Sequence, residues 1–215
     1  MQSDLAERVN AEAAGRLGEL AKKSDAWLLH ISTDFVFDGL LNRPYKETDT
    51  PNPINQYGKS KLAGERLAAQ SGCKCCILRI EWTYGRAGDN FVSKLIRRAK
   101  TGDNLRVVDD QVGSPTATTE VAAVIFKLLG KKPQGVFHFA SAGYVSRYEM
   151  AKFIFEQLAM KVSLSACKSS DFKSPAARPL NSRFDCGKIQ ALLYEPIEPW
   201  QKLLEKFVAR CSGLG

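Results

Sequence analysis

Trp27-Leu28-Leu29-His30-Ile31-Ser32-Thr33 is a nearly unbroken apolar run that ends on two hydroxyls. Apolar residues without alternation predict a strand covered on both faces, as in a parallel sheet. Upstream, Leu5 to about Ala21 reads as a helix with Ser3 or Asp4 as its cap. Its apolar positions are Leu5, Val9, Ala13, Leu17 and Leu20, a stripe that needs a surface to cover. A helix followed by a buried strand is the α/β rhythm.

Working outward, Asp38 to Pro53 is rich in Gly, Pro, Asn, Asp and Thr and predicts a long irregular loop, a feature that in a compact domain is usually functional. The rhythm then resumes with a helix from about Asn55 to Ala69 closed near Gly72, a strand at Cys75 to Ile80, and a helix from about Asn90 to Lys100. A short strand at Leu105 to Val108, a turn-rich connector from Gln111 to Thr116, a helix from about Thr119 to Leu129 and a strand at Val136 to Phe139 follow. Ser146-Arg147-Tyr148-Glu149 has the form of a capping box opening a helix to about Ala159. Ser163 to Asn181 reads as loop, a short helix follows Asp185, and a last helix starts at Trp200 behind Pro199.

The chain has 215 residues, enough for one domain with a smaller appended part, and its 44% hydrophobic and 25% charged content is ordinary for a soluble globular protein. No run of about 18 apolar residues and no charged-then-apolar leader stands in it, which argues against a membrane span or secretory signal and makes the cytoplasm the expected compartment. The net charge of +8 is scattered, at Lys22 and Lys23, Arg97, Arg98 and Lys100, Lys131 and Lys132, then Lys168, Lys173, Arg178 and Arg183. Without an aromatic-and-basic stripe it predicts no nucleic-acid partner. The cysteines, Cys73, Cys75, Cys76, Cys167, Cys186 and Cys211, lack the paired spacing of a zinc site, so reduced core thiols and no metal are expected.

Tyr57 and Lys61 are four residues apart on a predicted helix and so share one face. An ammonium beside a phenol favours the phenolate, so Tyr57 is expected to titrate below the ordinary value of about 10 and to serve as a proton donor or acceptor. Thr33 ends a predicted parallel strand, where open α/β sheets place their ligands. A packed ring with a solvated amine is the plainer reading of such a tyrosine and lysine taken alone. His30 and His138 fall inside apolar strands and read as core residues; Ser32 and Asp34 have strand-end packing or turn capping as their plain reading.

These residues do not stand alone. The run from His30 to Gly39, the Tyr57 helix, Arg79-Ile80-Glu81-Trp82-Thr83-Tyr84-Gly85, Asn90-Phe91, and Arg178-Pro179-Leu180-Asn181-Ser182-Arg183-Phe184-Asp185 occur in one order. Together they resemble the extended short-chain dehydrogenase/reductases, and within them the dTDP-4-dehydrorhamnose reductases. The resemblance covers nearly the whole chain and implies an α/β fold, a Rossmann-type parallel sheet with a smaller C-terminal substrate-binding lobe. The expected division is residues 1–140 for a partial NAD(P)-binding domain and 141–215 for a partly interleaved nucleotide-sugar lobe.

It also implies reduction of the 4-keto group of dTDP-6-deoxy-L-lyxo-4-hexulose to dTDP-L-rhamnose by NADPH, with NADH as the alternative cofactor. By match, Tyr57 protonates the oxygen, Lys61 binds the nicotinamide ribose and Thr33 orients the carbonyl. Ser32 joins Tyr57 and Lys61 on the cofactor side. Trp82, Asn90 and Arg178 join Thr33 on the substrate side, Arg178 toward the diphosphate. Core packing for Trp82 and a plain surface role for Arg178 are the competing readings. The partner implied is a nucleotide sugar, and a homodimer is compatible with it.

The family's glycine-rich cofactor loop has no counterpart ahead of Ser32, where Gly15 and Gly18 lie inside a helical pattern. In the family's order the chain starts in the helix before the fourth strand, roughly 70 residues or two to three βα units late. The expectation is an N-terminally incomplete sheet and poor NADPH binding by the 215-residue chain. The beta subunit of methionine adenosyltransferase resembles the same family and keeps a Tyr/Lys pair, so a non-catalytic regulatory subunit is the alternative.

Overall fold

A computed structural model describes residues 3–102, 104–172 and 176–212; Lys173 and the side chain of Cys211 lie outside them. The chain opens with α1 (Ser3–Glu7), a π-helical turn (Arg8–Glu12) and α2 (Ala13–Lys23), and then enters β1 (Trp27–Thr33). A 3-10 turn (Asp34–Val36) and the long loop lead to α3 (Gln56–Gln70), β2 (Lys74–Ile80), β3 (Thr83–Tyr84) and α4 (Phe91–Lys100). Next come β4 (Leu105–Val108), β5 (Val112–Gly113), β6 (Thr116–Ala117), α5 (Thr118–Lys131) and β7 (Gly135–Phe139). The chain finishes with β8 (Val145–Ser146), α6 (Arg147–Gln157), β9 (Leu164–Cys167), a 3-10 turn (Ser169–Asp171), α7 (Gly187–Leu193) and α8 (Trp200–Ser212).

The main sheet is parallel with strand order β1-β2-β7. Its register sets Thr33 beside Ile80 and Ile80 beside Phe139, so all three strands end at one level. Period-two alternation along β2 sends Cys75 and Ile77 toward Ala68 of α3, and Cys76 and Leu78 toward Val121, Val124 and Leu128 of α5 and Ile189 of α7. Burial raises the thiol pKa of Cys75 to about 12 and of Cys76 to about 11, which makes both inert apolar fillers.

Two expectations about the opening segment fail. β1 forms an edge of the main sheet, and most of its residues are half-buried rather than buried. The stripe at Leu5, Val9, Leu17 and Leu20 stays exposed, and the helical run instead buries Ala6, Ala11, Ala14, Gly18 and Ala21. Small residues win because α3 comes too close for leucines: a Cβ on Gly64 would sit 2.1 Å from the Asn10 carbonyl oxygen. At the same junction the Asn10 amide donates to Ser60 Oγ at 3.0 Å.

A second core gathers α4, α6 and α8 around Val92, Leu95, Met150, Ile154, Leu204 and Val208. It also takes Tyr84, Leu105, Val107 and Ala117, so residues between 84 and 117 pack with residues between 145 and 208. Short ladders stitch them together. β4 pairs in parallel with β9, β3 with β6, and β5 runs antiparallel to β8. β5, β6 and β9 fall in stretches expected as connector or loop. Pairings of two to four residues with partners remote in sequence leave no local periodicity to read.

Candidate active site

Thr33 closes β1 and caps the 3-10 turn, its Oγ1 accepting from the Phe35 amide at 3.2 Å and donating to Asp34 Oδ1 at 3.0 Å. α3 starts beyond the long loop, where Asn55 Oδ1 accepts from the Gly58 amide at 2.8 Å as its N-cap. Gly58 is the condition for docking this helix, since a Cβ there would lie 2.1 Å from the Phe35 carbonyl oxygen. Its neighbour Tyr57 therefore arrives beside Thr33, with its ring edge-on to Phe35 at 5.6 Å between centroids.

Ser32, Thr33, Tyr57, Lys61 and Trp82 line one cavity of about 280 Å³ at the C-terminal ends of β1 and β2. This is where open α/β sheets hold ligands. The Ser32 hydroxyl in its wall is buried and has no hydrogen-bond partner among the described residues. Arg178 lies elsewhere, lining an adjoining cavity of about 790 Å³ with Lys94, Arg98, Arg106 and the apolar Leu95 and Val107.

Two expectations about these residues are corrected. Burial raises the Tyr57 pKa above its ordinary value; the Thr33 hydroxyl pulls it down and Asp34 pushes it up further. Lys61 does not reverse this, because its amine donates to the Ile31 carbonyl at 2.6 Å, and burial lowers its own pKa against the pull of Glu65. Tyr57 is thus a phenol at neutral pH, in the form that donates a proton. Asn90 lines neither cavity. Its Oδ1 accepts from the Ser93 amide at 3.1 Å as the cap of α4, and its Nδ2 donates to the Gly85 carbonyl at 2.8 Å.

Two buried carboxyls, Asp34 and Glu81, also line the cavity. Asp34 accepts from Thr33 and, at 2.5 Å, from the Ser182 hydroxyl; burial raises its pKa against these bonds and Arg147. Glu81 accepts the amides of Ser114 at 2.9 Å and Phe184 at 3.2 Å, and burial with the nearby Asp34 holds its pKa well above the carboxylate range. The late motif therefore works as a structural clamp. Ser182 holds Asp34, Phe184 holds Glu81, and Asn181 Nδ2 donates to the carbonyls of Leu41 at 2.6 Å and Arg43 at 2.8 Å in the long loop.

Trp82 adopts φ +42°, a left-handed conformation that costs a bulky residue on the order of 1–3 kcal/mol. The Arg147 guanidinium lies over its ring at 3.4 Å from the centroid, and over Phe91 at 4.8 Å. Burial lowers the Arg147 pKa to about 9 while Asp34 and Glu81 favour the charge, so it is a cation at neutral pH.

Glu65 and Arg147 are the residues that sequence reading missed. Glu65 follows Lys61 by one helical turn on the same face as Tyr57, a signal present in the spacing. It receives Arg79 Nε at 2.9 Å and Nη2 at 2.6 Å in a buried bidentate pair that ties α3 to β2. Arg79 Nη1 lies 3.4 Å from His138 Nε2. Arginine only donates, so Nε2 accepts, and Nδ1 carries the proton toward the Tyr45 carbonyl at 3.1 Å. Burial lowers the His138 pKa to about 3 and that of His30 to about 4, as expected for core imidazoles.

Residues 1–212 match a family model described as RmlD substrate binding domain. The chain belongs to the RmlD family. It is 38% identical over 213 residues to a dTDP-4-dehydrorhamnose reductase of Aggregatibacter actinomycetemcomitans, covering 94% of this chain and 72% of that relative. Among RmlD-like solved structures, the dTDP-4-dehydrorhamnose reductase of Bacillus anthracis in complex with NADP superposes with a TM-score of 0.93. It shares 36% identity, and the match covers 97% of this chain and 74% of that one. The Clostridium acetobutylicum enzyme gives the same TM-score, 0.93, at 36% identity, covering 98% and 75%. The Rossmann-type α/β fold implied by the motif order is thereby established for this RmlD-family chain.

Proposed function

We propose that the protein reduces the 4-keto group of dTDP-6-deoxy-L-lyxo-4-hexulose to give dTDP-L-rhamnose, using NADPH. The observation that carries this reading is the convergence of the Tyr57 phenol and the Thr33 hydroxyl in a small cavity that adjoins a larger basic one. The small cavity suits a hexose and the large one a nucleoside diphosphate. Residues near 1–140 supply the sheet and the acid; those near 141–215, interleaved with 84–117, supply most of the second core.

The orphaned Ser32 hydroxyl in the cavity wall fits a polar cofactor group, and with Lys61 and Tyr57 it would hold the nicotinamide ribose. The chemistry that NADPH supplies when bound is a hydride for the carbonyl carbon. Thr33, fixed by Asp34, orients the carbonyl oxygen by hydrogen bonding. Tyr57 gives its phenolic proton to the oxyanion that forms, and its raised pKa keeps that proton in place until charge develops. The Lys61 ammonium then lies one helical turn from the phenolate and eases its charge. Arg178 receives the diphosphate in the large cavity.

NADPH oxidation by the protein with the 4-keto sugar nucleotide tests this reading. Turnover with that substrate is the expected result, and tight nucleotide binding with no turnover would favour the regulatory alternative.

A further inference from the structure

Arg147 stands at the junction of the two cavities and lines both. Its guanidinium lies between the faces of Trp82 and Phe91, which fix its plane and offer its N–H groups no acceptor. Among the described residues it makes no hydrogen bond or ion pair, although Asp34 and Glu81 are near enough to favour its charge. Arg178 is near enough to oppose that charge, so two cations face one place. The half-buried guanidinium thus presents its N–H fork to the cavities with no protein acceptor among the described residues, and a phosphate matches that fork.

We propose that Arg147 binds the phosphate bonded directly to the sugar and so fixes how far the hexose reaches toward Tyr57. The proposal rests on the nucleotide-sugar reading above. With the hexose in the 280 Å³ cavity and the nucleoside in the 790 Å³ cavity, the sugar-proximal phosphate is the group that passes the boundary. The nucleoside-proximal phosphate lies farther into the large cavity. Arg147 is therefore a reader of the second phosphate, and dTDP should feel its loss where dTMP does not.

The test is calorimetric titration of the full 215-residue chain with dTDP and with dTMP. Arg147→Met keeps length and contact with both rings but removes the charge; Arg147→Lys keeps the charge without the fork. A charged hydrogen-bonded contact implies a loss of about 10- to 150-fold in dTDP affinity for Arg147→Met, with dTMP affinity unchanged and Arg147→Lys intermediate. Equal losses for dTDP and dTMP would mark Arg147 as a structural wedge and overturn the proposal, as would wild-type dTDP affinity in Arg147→Met. If Arg147→Met does not fold, the same selective loss in Arg147→Lys decides. A wild-type chain that binds neither nucleotide would overturn the nucleotide-sugar reading itself.

Discussion

Replacing Glu65 by leucine strands the Arg79 guanidinium in the interior. Both side chains are 4% exposed, and both oxygens of Glu65 are engaged at 2.6 and 2.9 Å. Breaking such a pair from one side costs about 3–5 kcal/mol, because the remaining charge is buried without compensation. His138 cannot take over, since its ring is held neutral by burial and contributes only one acceptor. Against a total stability of about 5–15 kcal/mol this is a large fraction, and it corresponds to a fall in Tm of roughly 6–20 °C for a chain of this size.

Urea unfolding followed by circular dichroism measures the loss, with m checked for constancy. The double variant Glu65→Leu with Arg79→Met removes both charges and should recover most of the stability, giving a favourable coupling of at least about 2 kcal/mol. A single-variant loss below about 1 kcal/mol, or a double variant no better than the sum of the singles, would refute the claim that this pair clamps α3 to β2.

His138 falls from an ordinary pKa of 6.5 to about 3 on folding, so between those values the unfolded chain holds a proton that the native state lacks. Stability should drop as pH falls from 6.5 to 4.5, by about 2.3 kcal/mol more in wild type than in His138→Gln; equal slopes in urea unfolding would contradict this. The phenolate absorbance step assigned by difference to Tyr57→Phe should lie above pH 10, and a step near neutrality would contradict the corrected direction of its pKa. Asn55→Ala should cost about 1 kcal/mol as a lost N-cap. It should also weaken dTDP binding, because Asn55 Nδ2 donates to the Ala177 carbonyl at 2.8 Å, next to Arg178. Unchanged stability and unchanged dTDP affinity would contradict both roles.

Much of the fold was legible because long elements write their period locally. The β2 run and the caps at Asn55 and Ser146 are examples, and Ser146 completes its capping box with Glu149. The opening helical run misled because hydrophobicity was read as burial, while the contact with α3 is so close that alanine and glycine win it. Motif order picks out Tyr57, Lys61, Thr33 and Trp82, and all four line one cavity. The direction of the Tyr57 pKa was not legible, because spacing brings a lysine near but says nothing of desolvation or of the Ile31 carbonyl that takes the amine. Asn90 sat in the right motif with the wrong duty, its amide consumed by a cap. Arg147 was hidden inside a capping box, where sequence shows only the reason for a helix to start.

The central claim is that Tyr57 is the acid that protonates the reduced carbonyl. Its most direct test compares steady-state NADPH oxidation by the protein and its Tyr57→Phe variant, each with saturating 4-keto sugar nucleotide. Loss of a general acid should lower kcat by about 10²- to 10⁴-fold while KM for the sugar nucleotide changes little. Unchanged kcat in Tyr57→Phe would contradict it.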